Sequence, residues 1–163
     1  MSFQDISNTL WRQRNLLEML MFKLEEEQLI LAAGRTRWVA PATREVEQVL
    51  EEIKTTEVVR ATLVDAIAAS LGLDPNPSLR QLVDASPEPW SSLFDEHRRA
   101  FLGLTEEVVA VSKANKDFLA RGAAAARDML ATVTASEERR GPYDSNGSVV
   151  ALRRGGLLVD EAF

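Results

Sequence analysis

From Trp90 onward a single apolar period runs without a break. Trp90, Phe94, His97, Phe101, Leu104, Val108, Val111, Asn115, Phe118, Gly122, Ala125 and Met129 follow one another in alternating steps of four and three. A mean spacing of about 3.5 residues is that of a helix that seats its seam, knob into hole, against partner helices. A strand would need a period of two, so the pattern excludes a sheet here. About 45 residues in one helix rise to on the order of 65–70 Å, and its apolar side needs covering. Ser86-Pro87-Glu88-Pro89 marks the entry, with Ser86 read as the N-cap.

The covering helices lie upstream. Ser2 and Asp5 stand at capping-box spacing, which would satisfy two orphan backbone N–H groups. Behind them Phe3, Ile6, Leu10, Leu17, Leu20 and Leu24 share a helical face. Gly34 can close this helix in the left-handed conformation. A second helix opens near Pro41–Thr43, lined by Val46, Leu50, Ile53, Leu63, Ile67 and Leu71 and ended by Gly72. Asp74-Pro75-Asn76-Pro77 reads as a turn, and Ser78 with Gln81 forms a second capping box for a short helix to about Ala85. At about thirty residues the first two helices reach only about 45 Å. The last is therefore expected to overhang them unless it bends at Gly103 or Gly122. The expected fold is all-α, an elongated antiparallel hairpin or three-helix bundle with coiled-coil packing and one long C-terminal helix. Residues 1–134 form the helical domain. Residues 135–163 hold four of the eight glycines and read as a flexible tail.

Charge and composition then exclude function classes. With 19 Lys and Arg against 25 Asp and Glu, the formal net charge is −6, opposite in sign to what a nucleic-acid surface requires. No apolar run approaches the roughly 20 residues that span a bilayer, so no membrane insertion is expected. The start lacks the basic and apolar regions of a secretory signal, and there is no cysteine; the cytoplasm is the expected address. One histidine without cysteine is a poor beginning for a metal site, and no phosphate loop, nucleophile elbow or zinc-protease helix occurs. His97 is read as a core or rim residue hydrogen-bonded to a neighbour. Glu25-Glu26-Glu27 and Glu51-Glu52 are read as solvated faces, and Trp11 and Trp90 as core anchors. Asn115 has two readings, a buried amide that fixes register or a side chain facing water. No enzyme and no cofactor is expected.

Three stretches resemble a known family. Leu16-Leu17-Glu18-x-Leu20 followed by Lys23-Leu24-Glu25-Glu26-Glu27-Gln28 is similar to the first helix of the FlgN-type flagellar export chaperones. Ser112-Lys113-Ala114-Asn115-Lys116-Asp117-Phe118-Leu119 resembles that family's asparagine-containing run, with Phe118 where a second asparagine is often found. Pro142-Tyr143-Asp144-Ser145-Asn146-Gly147 resembles its short Tyr-to-Gly element. The resemblance implies a chaperone for hook–filament junction subunits awaiting type III export. It gives Asn115, Phe118 and Leu119 as client contacts, and Tyr143 and Gly147 as tail contacts to the client or the export gate. The expected partners are terminal helical segments of the junction proteins, with the export gate or ATPase beyond them. The apolar stripe extends the client-binding set to Gly122, Ala126, Met129 and Val133, because an amphipathic client helix would meet it at i, i+3, i+4 and i+7. A structural coiled-coil homodimer without an export client would bury the same stripe and stands as the alternative.

Overall fold

The computed structural model describes residues 2–139, with side chains through Ser136. Among them are four α-helices, α1 (Phe3–Ala32), α2 (Val39–Ala68), α3 (Leu79–Ala85) and α4 (Trp90–Arg139), with short 3₁₀ turns at Thr36–Trp38 and Ala69–Leu71. The chain is all-α, as the periodicity requires. It divides into two compact units, Met1–Leu119 and Ala120–Phe163.

Local chemistry sets the helix ends. The Ser2 hydroxyl accepts the Asp5 N–H at 3.3 Å, and the Asp5 carboxylate accepts the Ser2 N–H at 2.8 Å, so the capping box starts α1. Gly34 at φ 65° and Gly72 at φ 70° take the left-handed conformation just past α1 and α2, where a side chain would be strained. The second capping box opens α3, with Gln81 N–H on the Ser78 hydroxyl at 3.2 Å and Ser78 N–H on the Gln81 carbonyl oxygen at 2.8 Å. Ser86 is not the N-cap of α4. It is the C-cap of α3, its hydroxyl donating to Leu82 O at 2.6 Å. α4 starts four residues later, where the Trp90 N–H meets Pro87 O at 2.9 Å. α2 begins at Val39, with Pro41 in its first turn, where a missing N–H costs nothing. α4 also continues through Arg139, past the boundary expected at 134.

Within the first unit two apolar clusters fix the topology. Ile6 and Leu10 of α1 pack with Val64 of α2, Leu82 of α3 and Phe94 of α4. Further along, Leu20 and Leu24 of α1 pack with Val46 and Val49 of α2, and Val108 and Val111 of α4 join them. Ascending numbers on α1 meet descending numbers on α2 and ascending numbers on α4. α1 and α2 are therefore an antiparallel hairpin, and α4 runs parallel to α1. Phe3 stacks on Trp90 with centroids 5.8 Å apart and so locks the open end of the hairpin to the start of α4. Fully burying a residue such as Ile6, Leu10 or Phe94 contributes roughly 1.5–3 kcal/mol each. Two details differ from the periodic reading. Leu50 is exposed and Val49 buried in its place, and Trp11 is half exposed rather than a core anchor.

Candidate functional site

The seam of α1 runs Ile6, Leu10, Gln13, Leu17, Leu20, Leu24, Glu27, in the same alternating steps as α4. Two of its members are polar, and so are His97 and Asn115 on the α4 seam. Gln13, Glu27, His97 and Asn115 are all buried. Asn115 Nδ2 donates to Leu24 O at 2.9 Å and to Glu27 Oε2 at 3.1 Å. The Thr43 hydroxyl of α2 donates to the other Glu27 oxygen at 2.8 Å. One carboxylate thus ties α1, α2 and α4 together. Glu27 is not part of a solvated acidic run, because its position falls on the seam while Glu25 falls on the outer face. Asn115 takes its buried reading rather than facing water: at 3% exposure its amide is turned to Leu24 and Glu27.

His97 is fully buried, edge-on to Trp11 at 4.7 Å between centroids and beside Phe101. Neither ring nitrogen has a hydrogen-bond partner among the described residues, contrary to the expectation of a bonded core histidine. Burial lowers its pKa, because an imidazolium there would lose its hydration; Arg14 pushes the same way and Glu96 opposes both. Gln13 Oε1 and Arg60 Nε are likewise buried without partners. Both residues line a cavity of about 620 Å³ with Leu17, Ile53, Phe101 and Thr105. These polar atoms lie among apolar side chains, where Phe101 packs against the first apolar cluster and Ile53 against the second. Among the described residues no group of three or more His, Asp or Glu side chains is placed to hold a metal ion.

The rest of the expected client-binding set lies on the later part of α4. In the first unit, Phe118 is 37% and Leu119 41% exposed. In the second unit, Gly122 and Ala126 are exposed, and Met129 and Val133 are 69% and 50% exposed. Leu130, which sequence reasoning passed over, is 68% exposed beside Met129. The steps from Gly122 to Ala126, Met129 and Val133 alternate between four and three, so these residues of the second unit stand on one face. A Cβ built on Gly122 would meet nothing within 4 Å among the described residues, so their packing does not demand glycine there. Tyr143 and Gly147 lie outside the described residues.

Apolar side chains repeating along one helical face are the geometry with which a helix meets a partner helix. The chain belongs to the FlgN family, whose model matches residues 1–151. That family is one of flagellar export chaperones, not of enzymes. Neither the curated proteins nor the solved structures contain a match to this chain. No helix among the described residues is long and apolar enough to cross a membrane.

Proposed function

We propose that this protein is a cytoplasmic chaperone that holds the terminal helical segments of hook–filament junction subunits before their type III export, along the exposed apolar residues of α4. The observation that carries the reading is the exposure of Met129, Leu130 and Val133 at 69, 68 and 50%. Large apolar side chains grouped on one face are costly in water and mark a surface that meets a partner. A client helix bringing its own i, i+3, i+4 and i+7 residues would remove both apolar faces from water. About four turns of helix then approach the roughly 800 Å² per partner of a standard interface. The small run Gly122-Ala123-Ala124-Ala125-Ala126 lets the client backbone come close. No bond is made or broken: the chaperone acts by mass action, masking a segment that would otherwise self-associate. Tyr143 and Gly147 would add contacts to the client or to the export gate, a role supported by the resemblance alone.

The test is a fluorescence titration of a labelled terminal helix from a junction subunit into this protein. Met129→Ala with Val133→Ala should weaken binding at least about thirtyfold, the size of a hot-spot loss, while circular dichroism stays unchanged. Phe118→Ala with Leu119→Ala should act in the same direction. Undiminished affinity in both double variants would overturn the placement of the site. A tight homodimer with no affinity for the segment would assign the face to self-association.

A further inference from the structure

Residues 28–44, which turn the chain from α1 into α2, carry three arginines and no carboxylate, inside a protein of formal net charge −6. The structure leaves this turn open. Arg35, Arg37 and Arg44 are exposed, and none has an ion-pair partner among the described residues. Trp38 is 47% exposed, with the Arg37 guanidinium 4.5 Å from its ring centroid, and Leu29 is exposed before the turn.

The neighbouring acids are already engaged. Glu27 is buried against Thr43 and Asn115. Lys23 Nζ holds Glu45 at 2.6 Å and Glu26 at 3.5 Å, and the Glu45 hydrogen bond raises the Lys23 pKa while lowering that of Glu45. The next carboxylates along the two helices are Glu25 and Glu47. Glu47 stands one helical turn from Arg44, whereas Arg35 and Arg37 stand ten residues from Glu25 and Glu47 respectively, or about 15 Å at 1.5 Å per residue. That exceeds the screening length of about 8 Å at physiological ionic strength. Arg35 and Arg37, beside Trp38 at the tip of the turn, therefore meet an anionic surface as cations.

We propose that the α1–α2 turn is a peripheral contact to anionic lipid headgroups, with Trp38 at headgroup depth and the three arginines on lipid phosphates. Tryptophan suits that depth because its ring is apolar and its N–H is a donor, and arginine pairs with phosphate through two parallel donors. A lipid surface is favoured over a protein because so short a turn offers far less than the roughly 800 Å² per partner of a stable protein interface. A bilayer sets no such minimum: each arginine near it strengthens binding about fivefold. The contact would be reversible and would hold the chaperone at a membrane surface without insertion, a role beyond client binding.

The test is co-sedimentation of the full chain with vesicles of phosphatidylcholine alone and of an equal mixture with phosphatidylglycerol, at low and physiological salt. The protein should sediment only with the anionic vesicles and less so as salt rises, and its tryptophan emission should shift to the blue. Arg35→Ala with Arg37→Ala should weaken binding about 25-fold with helicity intact, and Trp38→Ala should remove the emission shift. No sedimentation with anionic vesicles at low salt would overturn the proposal, as would binding indifferent to the double variant. Capture of polyglutamate but not vesicles, through the same arginines, would also overturn it and assign the turn to an acidic protein segment.

Discussion

Replacing Asn115 by alanine separates the protein's own framework from its client surface. In the structure the Asn115 amide gives one hydrogen bond to the Leu24 carbonyl at 2.9 Å and one to the buried Glu27 carboxylate at 3.1 Å. A neutral hydrogen bond is worth about 0.5–1.5 kcal/mol net and one to a charged group about 1.5–3 kcal/mol. Asn115 Oδ1 is itself buried without a partner, so deleting it returns about 1 kcal/mol. The expected net loss is about 2–3 kcal/mol, or about 5–10 °C in Tm for a chain of this size. Urea unfolding followed by far-UV circular dichroism reads the loss directly. Combining Asn115→Ala with Glu27→Ala gives a double-mutant cycle, whose coupling should exceed about 1 kcal/mol because the two side chains share a bond. Client affinity measured on the folded variant should stay close to wild type. A stability change below about 0.5 kcal/mol together with a large loss of client affinity would refute the reasoning and return Asn115 to the client surface.

Other perturbations follow from the same geometry. Phe94 is fully buried at the centre of the first apolar cluster, so Phe94→Ala should cost about 3–5 kcal/mol in urea unfolding; a cost under about 1 kcal/mol would place it outside the core. The pKa of His97 is held below its ordinary value of 6.5 by burial. As the pH falls below that value the unfolded chain takes up a proton that the folded chain resists, so stability present above it is lost toward the folded-state pKa. Urea midpoints of wild type should therefore fall more steeply with acid than those of His97→Phe, and equal slopes would contradict the burial. Gly122 is helical with open space where a Cβ would stand. Gly122→Ala should stabilise the helix by about 0.5–1 kcal/mol, yet weaken a client helix that packs closely there; unchanged client affinity in a titration would remove Gly122 from the interface.

The long seams, both capping boxes and the terminating glycines were legible because each rests on local chemistry. The seam of α4 was read whole, including His97 and Asn115, because its apolar members outnumber its polar ones. The seam of α1 was read with gaps. Gln13 and Glu27 fall on its alternating steps, but a glutamate inside Glu25-Glu26-Glu27 looks like its neighbours until Asn115 and Thr43 are seen to meet it across helices. The heptad step from Leu20 and Leu24 to position 27 was the available signal. Ser86 is ambiguous for a different reason: a serine before proline suits either a helix end or a helix start, and only the hydroxyl bond to Leu82 O decides. Trp11 is not the core anchor its residue type suggests, because its position lies beside the seam and only His97 and Arg14 lie against its ring.

If α4 offers its apolar face to the terminal helix of a junction subunit, the two proteins form a complex in solution. Size-exclusion chromatography with light scattering tests it most directly, on this protein alone and then mixed with a hook–filament junction subunit from the same source. The expected result is a complex that survives dilution and is lost when the subunit's terminal helix is deleted. A tight homodimer in both runs, with the subunit eluting separately, would contradict it.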